Sequence, residues 1–104
     1  MVEELTNGEF SDFIKEGIVL VDFYADWCMP CVMMSPIVED MSEKFSGKIK
    51  FAKVNIEDEP KIADKYNVSS IPNFIVFKDG KVEKQFVGGM DEEDFEEKLE
   101  GVLE

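Results

Sequence analysis

Apolar positions along the chain fall into two rhythms. Ile18 to Tyr24 is nearly continuous in apolar residues and is interrupted by Asp22. Such a run fits a strand in a sheet covered on both faces. Ile49 to Ile56 and Phe74 to Phe77 read as further strands, and Val2 to Leu5 as a short one. Between them the spacing turns helical. Thr6 and Glu9 form a capping-box pair ahead of Phe10, Phe13 and Ile14, and Gly17 closes that helix. A long helix after Cys28 carries Met33, Ile37, Met41 and Phe45 at four-residue intervals. Met34 and Val38 widen the stripe, so Met33, Met34 and Met41 are assigned to the core. Pro36 falls inside this helix, where it should introduce a kink.

Pro60 opens a short helix with Ile62, Ala63 and Tyr66. Asp79-Gly80 is a hairpin turn signal leading into a strand from Val82 to Val87. Gly88-Gly89 forms a loop. Asp91 caps a last helix with Phe95, Leu99, Val102 and Leu103 inward. The predicted order is β-α-β-α-β-α-β-β-α, an α/β class with parallel units followed by an antiparallel hairpin.

At 104 residues and 44% hydrophobic content, the chain is expected to form one domain over residues 1–104. Eleven basic against 24 acidic residues give a net charge of −13, which argues against nucleic acid and anionic membranes as partners. Glu3 and Glu4 near the start, with no long apolar run after them, predict no signal peptide. No stretch approaches membrane-span length. The expectation is a soluble cytoplasmic protein.

The chemistry concentrates in Trp27-Cys28-Met29-Pro30-Cys31, which holds both cysteines of the chain. The pair follows a strand and begins a helix. Unpaired N–H groups and the helix dipole at such a terminus favour a thiolate. Three-residue spacing in a first turn brings the two side chains within bridging reach. A purely structural disulfide closing so short a loop stabilises little. A zinc site needs four ligands, and the chain has no histidine and no third cysteine. A zinc or iron–sulfur site shared across a dimer, or two inert cysteines on a binding module, stay open as alternatives. Redox exchange is the preferred reading, and it needs no cofactor and no metal.

Over essentially its whole length the chain resembles the thioredoxin family. The likeness rests on Val21-Asp22-Phe23 before the cysteine motif, Pro36 after it, and Phe51-Ala52-Lys53-Val54-Asn55. Ser70-Ile71-Pro72, Lys78-Asp79-Gly80 and Val87-Gly88-Gly89 complete it. The resemblance implies a three-layer sandwich, with a central mixed sheet flanked by helices. It implies reduction of client-protein disulfides, with Cys28 as nucleophile and Cys31 as resolver. By the same resemblance Asp22 assists proton transfer. Pro72 is cis, faces the thiols and helps hold an extended client segment. Trp27, Met29, Pro30, Ile71 and Gly88 shape the site and contact the client. The implied partners are disulfide-containing clients and a thioredoxin reductase-type electron donor, with the chain acting as a monomer. The sequence departs from the family at Met29 (usually glycine), Val32 (usually lysine), Asn73 (often threonine) and Tyr24 (commonly tryptophan). Met29 and Val32 bring no cation to a thiolate, which favours a reductant over an oxidase or isomerase.

Other expectations come from the residues themselves. Alternation places Asp22 with Ile18, Leu20 and Tyr24 on one sheet face, where lost solvation should raise its pKa. The plainer reading is a solvated carboxylate at a frayed strand end. Lys53 either pairs with Asp22 from a neighbouring strand or is a surface lysine. Cys28 alone is expected at the exposed helix terminus. Trp27, Met29, Ile71 and Met90 are expected to form an apolar patch around the thiols.

Overall fold

The structure, a computed structural model, describes residues 2–104. Its elements are β1 (Glu3–Glu4), α1 (Asn7–Ile14), β2 (Ile18–Tyr24), α2 (Met29–Lys44) and β3 (Lys50–Asn55), then α3 (Pro60–Lys65), β4 (Asn73–Lys78), β5 (Lys81–Val87) and α4 (Glu92–Leu103). They follow the predicted order. The strands form one mixed sheet in the order β1-β3-β2-β4-β5. β3 runs parallel to β1 and β2, while β4 is antiparallel to β2 and β5.

Strand alternation divides the core into two layers. Val19, Val21 and Phe23 of β2, Ala52 and Val54 of β3, and Ile75 and Phe77 of β4 pack on one face with Phe10, Ile14 and Ile62. Leu20, Phe51, Phe74 and Val76 pack on the other, against Met34, Val38 and Met41 of α2 and Phe95 and Leu99 of α4. Each inner strand is thus apolar in both registers, which explains the unbroken run at Ile18 to Val21.

Local signals set the joints. Glu9 accepts the Thr6 backbone N–H at 2.9 Å, closing the expected N-terminal box of α1. Asp79 and Gly80 both have positive φ, 51° and 86°, as a tight hairpin turn requires. That turn is fastened to the loop between α1 and β2: Asp79 N–H donates to the Gly17 carbonyl, and Gly17 N–H to Asp79 Oδ1, both at 2.9 Å. Asp91 caps α4 by accepting the Asp94 N–H at 2.8 Å.

Two expectations fail. The Val2–Leu5 strand shrinks to Glu3–Glu4, an exposed pair at the sheet edge, although the Leu5 N–H still reaches the Lys53 carbonyl at 2.9 Å. Met33 is 69% exposed. The buried face of α2 runs through Met34, Val38 and Met41, with Phe45 at its C-cap. All four belong to the assigned stripe, and Met33 turns outward because the buried line lies over the sheet and α4. Pro36 lies inside α2 as expected. At the edges, β1 has two residues and β5 carries Lys81, Glu83 and Lys84 exposed along its length.

Candidate active site

β2 delivers the chain from the sheet centre into the turn Ala25 to Cys28, where the Cys28 N–H donates to the Ala25 carbonyl at 3.2 Å. Cys28 is the N-cap of α2, and its Sγ accepts the Cys31 backbone N–H at 3.3 Å. Its carbonyl accepts the Val32 N–H at 3.1 Å. The first turn of α2 contains Pro30 and no acidic residue, and Lys44 lies in the last. Both ends therefore suit the helix dipole and leave its positive pole to the sulfur. Cys28 and Cys31 are joined as a disulfide, with Cα atoms 5.2 Å apart.

Both cysteines are buried, Cys28 at 4% and Cys31 at 5% exposure, so the expected exposed Cys28 is not found. They pack with Ala25 while Tyr24, Ile56 and Ile71 lean against them. What separates the two sulfurs is position. Cys28 caps the helix and faces its free N–H groups, whereas Cys31 lies within the first turn.

Asp22 is 6% exposed and lies on the α2 side of the sheet, the face that holds Leu20. The frayed-end reading of this residue is excluded. Its Oδ1 is buried without a hydrogen-bond partner among the described residues. Burial pushes its carboxyl up to about 7, while the charge of Lys53 pulls it back down. Lys53 stands directly opposite Asp22 in the β2–β3 register, with its Nζ 5.5 Å from the Tyr24 ring centroid. A cleft of about 210 Å³ connects these groups. Asp22, Cys31, Ser35, Lys53, Tyr24 and Asp26 are among its walls. Ser35 was not singled out in the sequence; its signal was the four-residue step from Cys31, which places both on one helix face. The Tyr24 phenol, half-buried, donates to Glu4 Oε2 at 2.6 Å.

The turn before β4 meets the cysteines through Ile71. The Ile71–Pro72 peptide bond is cis. The Pro72 carbonyl accepts the Gly88 N–H at 2.8 Å. Gly88 has φ +98°, a conformation that side-chain-bearing residues rarely adopt. At Gly89 an added Cβ would meet Pro30 Cβ at 3.8 Å, so the loop after β5 passes close to α2. Asn73 is buried, and its Oδ1 accepts from Gln85 Nε2 at 3.0 Å.

Trp27 and Met29 are exposed, while Ile71 packs on the cysteines. Met90 belongs elsewhere. It leans on the α2–α4 core layer and lines an apolar hollow of about 430 Å³ with Pro30, Met33, Met34, Ile37 and Gly89. The expected patch is thus two surfaces that meet at the thiol turn. Among the described residues, no group of three or more His, Cys, Asp or Glu is arranged to hold a metal ion.

The family model described as Thioredoxin matches residues 1–101. A thioredoxin from Chlamydia caviae is 44% identical over 93 residues, covering 89% of this chain and 90% of that protein. Thioredoxins from Staphylococcus saprophyticus and Staphylococcus aureus are 38% and 37% identical over 99 residues, covering 95% of each chain. Matches of this extent, on a fold that carries the cysteine pair at the start of α2, mean that the chain belongs to the thioredoxin family.

Proposed function

We propose that the chain is a general protein-disulfide reductase contributing to cellular redox homeostasis, with Cys28 as the attacking thiol, Cys31 as resolver and Asp22 as the base. The observation that carries this reading is a cysteine pair at the N-terminus of α2, beside a cleft that holds the buried Asp22 carboxyl, whose Oδ1 has no hydrogen-bond partner among the described residues. The Cys28 thiolate attacks a client disulfide, and one client sulfur leaves as a thiolate that takes a proton from solvent. Asp22 takes the proton of Cys31, whose thiolate then attacks Cys28 Sγ. The second client sulfur leaves, and the Cys28–Cys31 disulfide remains. Two electrons have passed to the client and must be restored by a donor.

Clients with disulfides and a reductase donor go with the family in general. We assign the donor to the thioredoxin reductase type, and the site of action to the cytoplasm as a monomer. No helix among the described residues is long and apolar enough to cross a membrane. We assign Trp27, Met29, Pro30, Ile71, Pro72 and Gly88 to client contact; of these, Ile71 packs on the cysteines. Lys53 is assigned to tuning Asp22. No cation stands in the first turn of α2, where Met29 and Val32 flank the cysteines. The thiolate is then held mainly by the helix, which favours electron donation over oxidation. Dithiothreitol-driven reduction of insulin tests the function. The chain should accelerate it and Cys28→Ser should not; no acceleration by the intact chain would point to a binding module.

A further inference from the structure

Ser35 has no part in the steps above. It lies one turn beyond Cys31 on α2, on the same helix face. It lines the 210 Å³ cleft with Cys31 and Asp22. It also lines a second hollow of about 20 Å³ that reaches Asp22 from the side of Val38. Asp22, Ser35 and Lys53 are the residues shared by the two. Ser35, an exposed residue of α2, therefore borders the space around the buried carboxyl on two sides.

The neighbouring backbone adds a further polar atom. Pro36 has no N–H to return to the Val32 carbonyl one turn back, and Val32 is also part of the cleft wall. A buried water needs two to four polar partners. Asp22 Oδ1 and the Val32 carbonyl are acceptors, and a serine hydroxyl both donates and accepts. A cleft of this volume has room for such a water beside the Cys31 sulfur.

We propose that Ser35 is a positioning residue for the resolving step, its hydroxyl holding the water through which the Cys31 proton reaches Asp22. The inference rests on Asp22 being the base. The proton leaves Cys31 Sγ for the water, and the water gives one to the Asp22 carboxylate. The Cys31 thiolate forms the bond to Cys28 Sγ. The bond from Cys28 to the client sulfur breaks, and that sulfur takes a proton from solvent. No electron passes through Ser35.

The test is stopped-flow reaction of the fully reduced chain with an aromatic disulfide, at about pH 8, where Asp22 is mostly ionised. The first aromatic thiolate released reports attack by Cys28, and the second reports resolution by Cys31. Ser35→Ala should leave the attack phase within about twofold and slow resolution about fivefold, with Ser35→Thr restoring it. Asp22→Asn should slow resolution about a hundredfold, and adding Ser35→Ala to it should cost nothing more. A purely structural role for Ser35 would move both phases, or neither. If Asp22→Asn slows resolution but Ser35→Ala does not, the Ser35 assignment is wrong and the base survives. If Asp22→Asn resolves at the wild-type rate, both assignments fall.

Discussion

Asp22 and Lys53 face each other across the β2–β3 pair, yet Asp22 Oδ1 has no hydrogen-bond partner among the described residues. The lysine acts on the carboxyl as a charge, while its Nζ lies near the Tyr24 ring. The result is a carboxyl that is not quenched by an ion pair and is almost wholly withdrawn from bulk solvent. Its titration close to neutrality follows from burial outweighing the cation.

Stability should reflect this directly. The folded Asp22 pKa, about 7, lies above the ordinary value of 3.8. The folded chain therefore binds more protons through this group than the unfolded chain. Its contribution is most favourable below about pH 4 and is lost as pH rises towards and through about 7. Asp22→Asn should raise stability near pH 8 by about 1–3 kcal/mol and do little near pH 4. Denaturant melts at both values check this. A variant less stable than the parent near pH 8 would mean that the carboxylate is structurally paired.

Lys53→Met removes the charge that holds the Asp22 pKa down. The carboxyl should then titrate above its present position of about 7, and the pH at which Cys31 resolution becomes fast should rise with it. The side-chain carboxyl resonance of Asp22, followed by NMR against pH, measures the shift. An unchanged midpoint would remove Lys53 from the site.

The two cysteines should behave unequally despite equal burial. Cys31→Ser should accumulate mixed disulfides with client proteins, and Cys28→Ser should trap almost none, because only Cys28 caps α2. Mass spectrometry of trapped species reads the difference. Preferential alkylation of Cys31 in the reduced chain near neutral pH would reverse the assignment.

Met29 is exposed between the cysteines and brings no charge. Met29→Gly should leave reductase activity within about tenfold and move the reduction potential by tens of millivolts, where about 30 mV corresponds to 1.4 kcal/mol. Equilibration with glutathione buffers gives the potential. Complete loss of activity would make Met29 indispensable rather than tuning.

Much of the fold was legible because local signals coincide with its joints. Gly17 and the cysteine turn bracket β2, Asp79-Gly80 forms the hairpin, and Asp91 caps α4. The position of the cysteines at the start of α2 was legible for the same reason. The exposure of Met33 was not. Methionine at both 33 and 34 supports two overlapping stripes, and the contact with the sheet and α4 chooses between them. The Asp22–Lys53 juxtaposition depends on strand register, and the Pro72–Gly88 bond joins distant loops. Neither has a short-range signature. The burial of Cys28 was missed because Ile71 and Ile56 arrive from later in the chain.

The ends of the sheet bear on the company such a protein keeps. A reductase works against chains that are partly unfolded, and those chains present bare strands that seek a partner. Here one border is, among the described residues, the two-residue strand Glu3–Glu4, and the other is studded with Lys81, Glu83 and Lys84. Neither offers a long apolar margin for strand addition. A client can be held through its sulfur and let go, without being recruited into the sheet and carried into an aggregate.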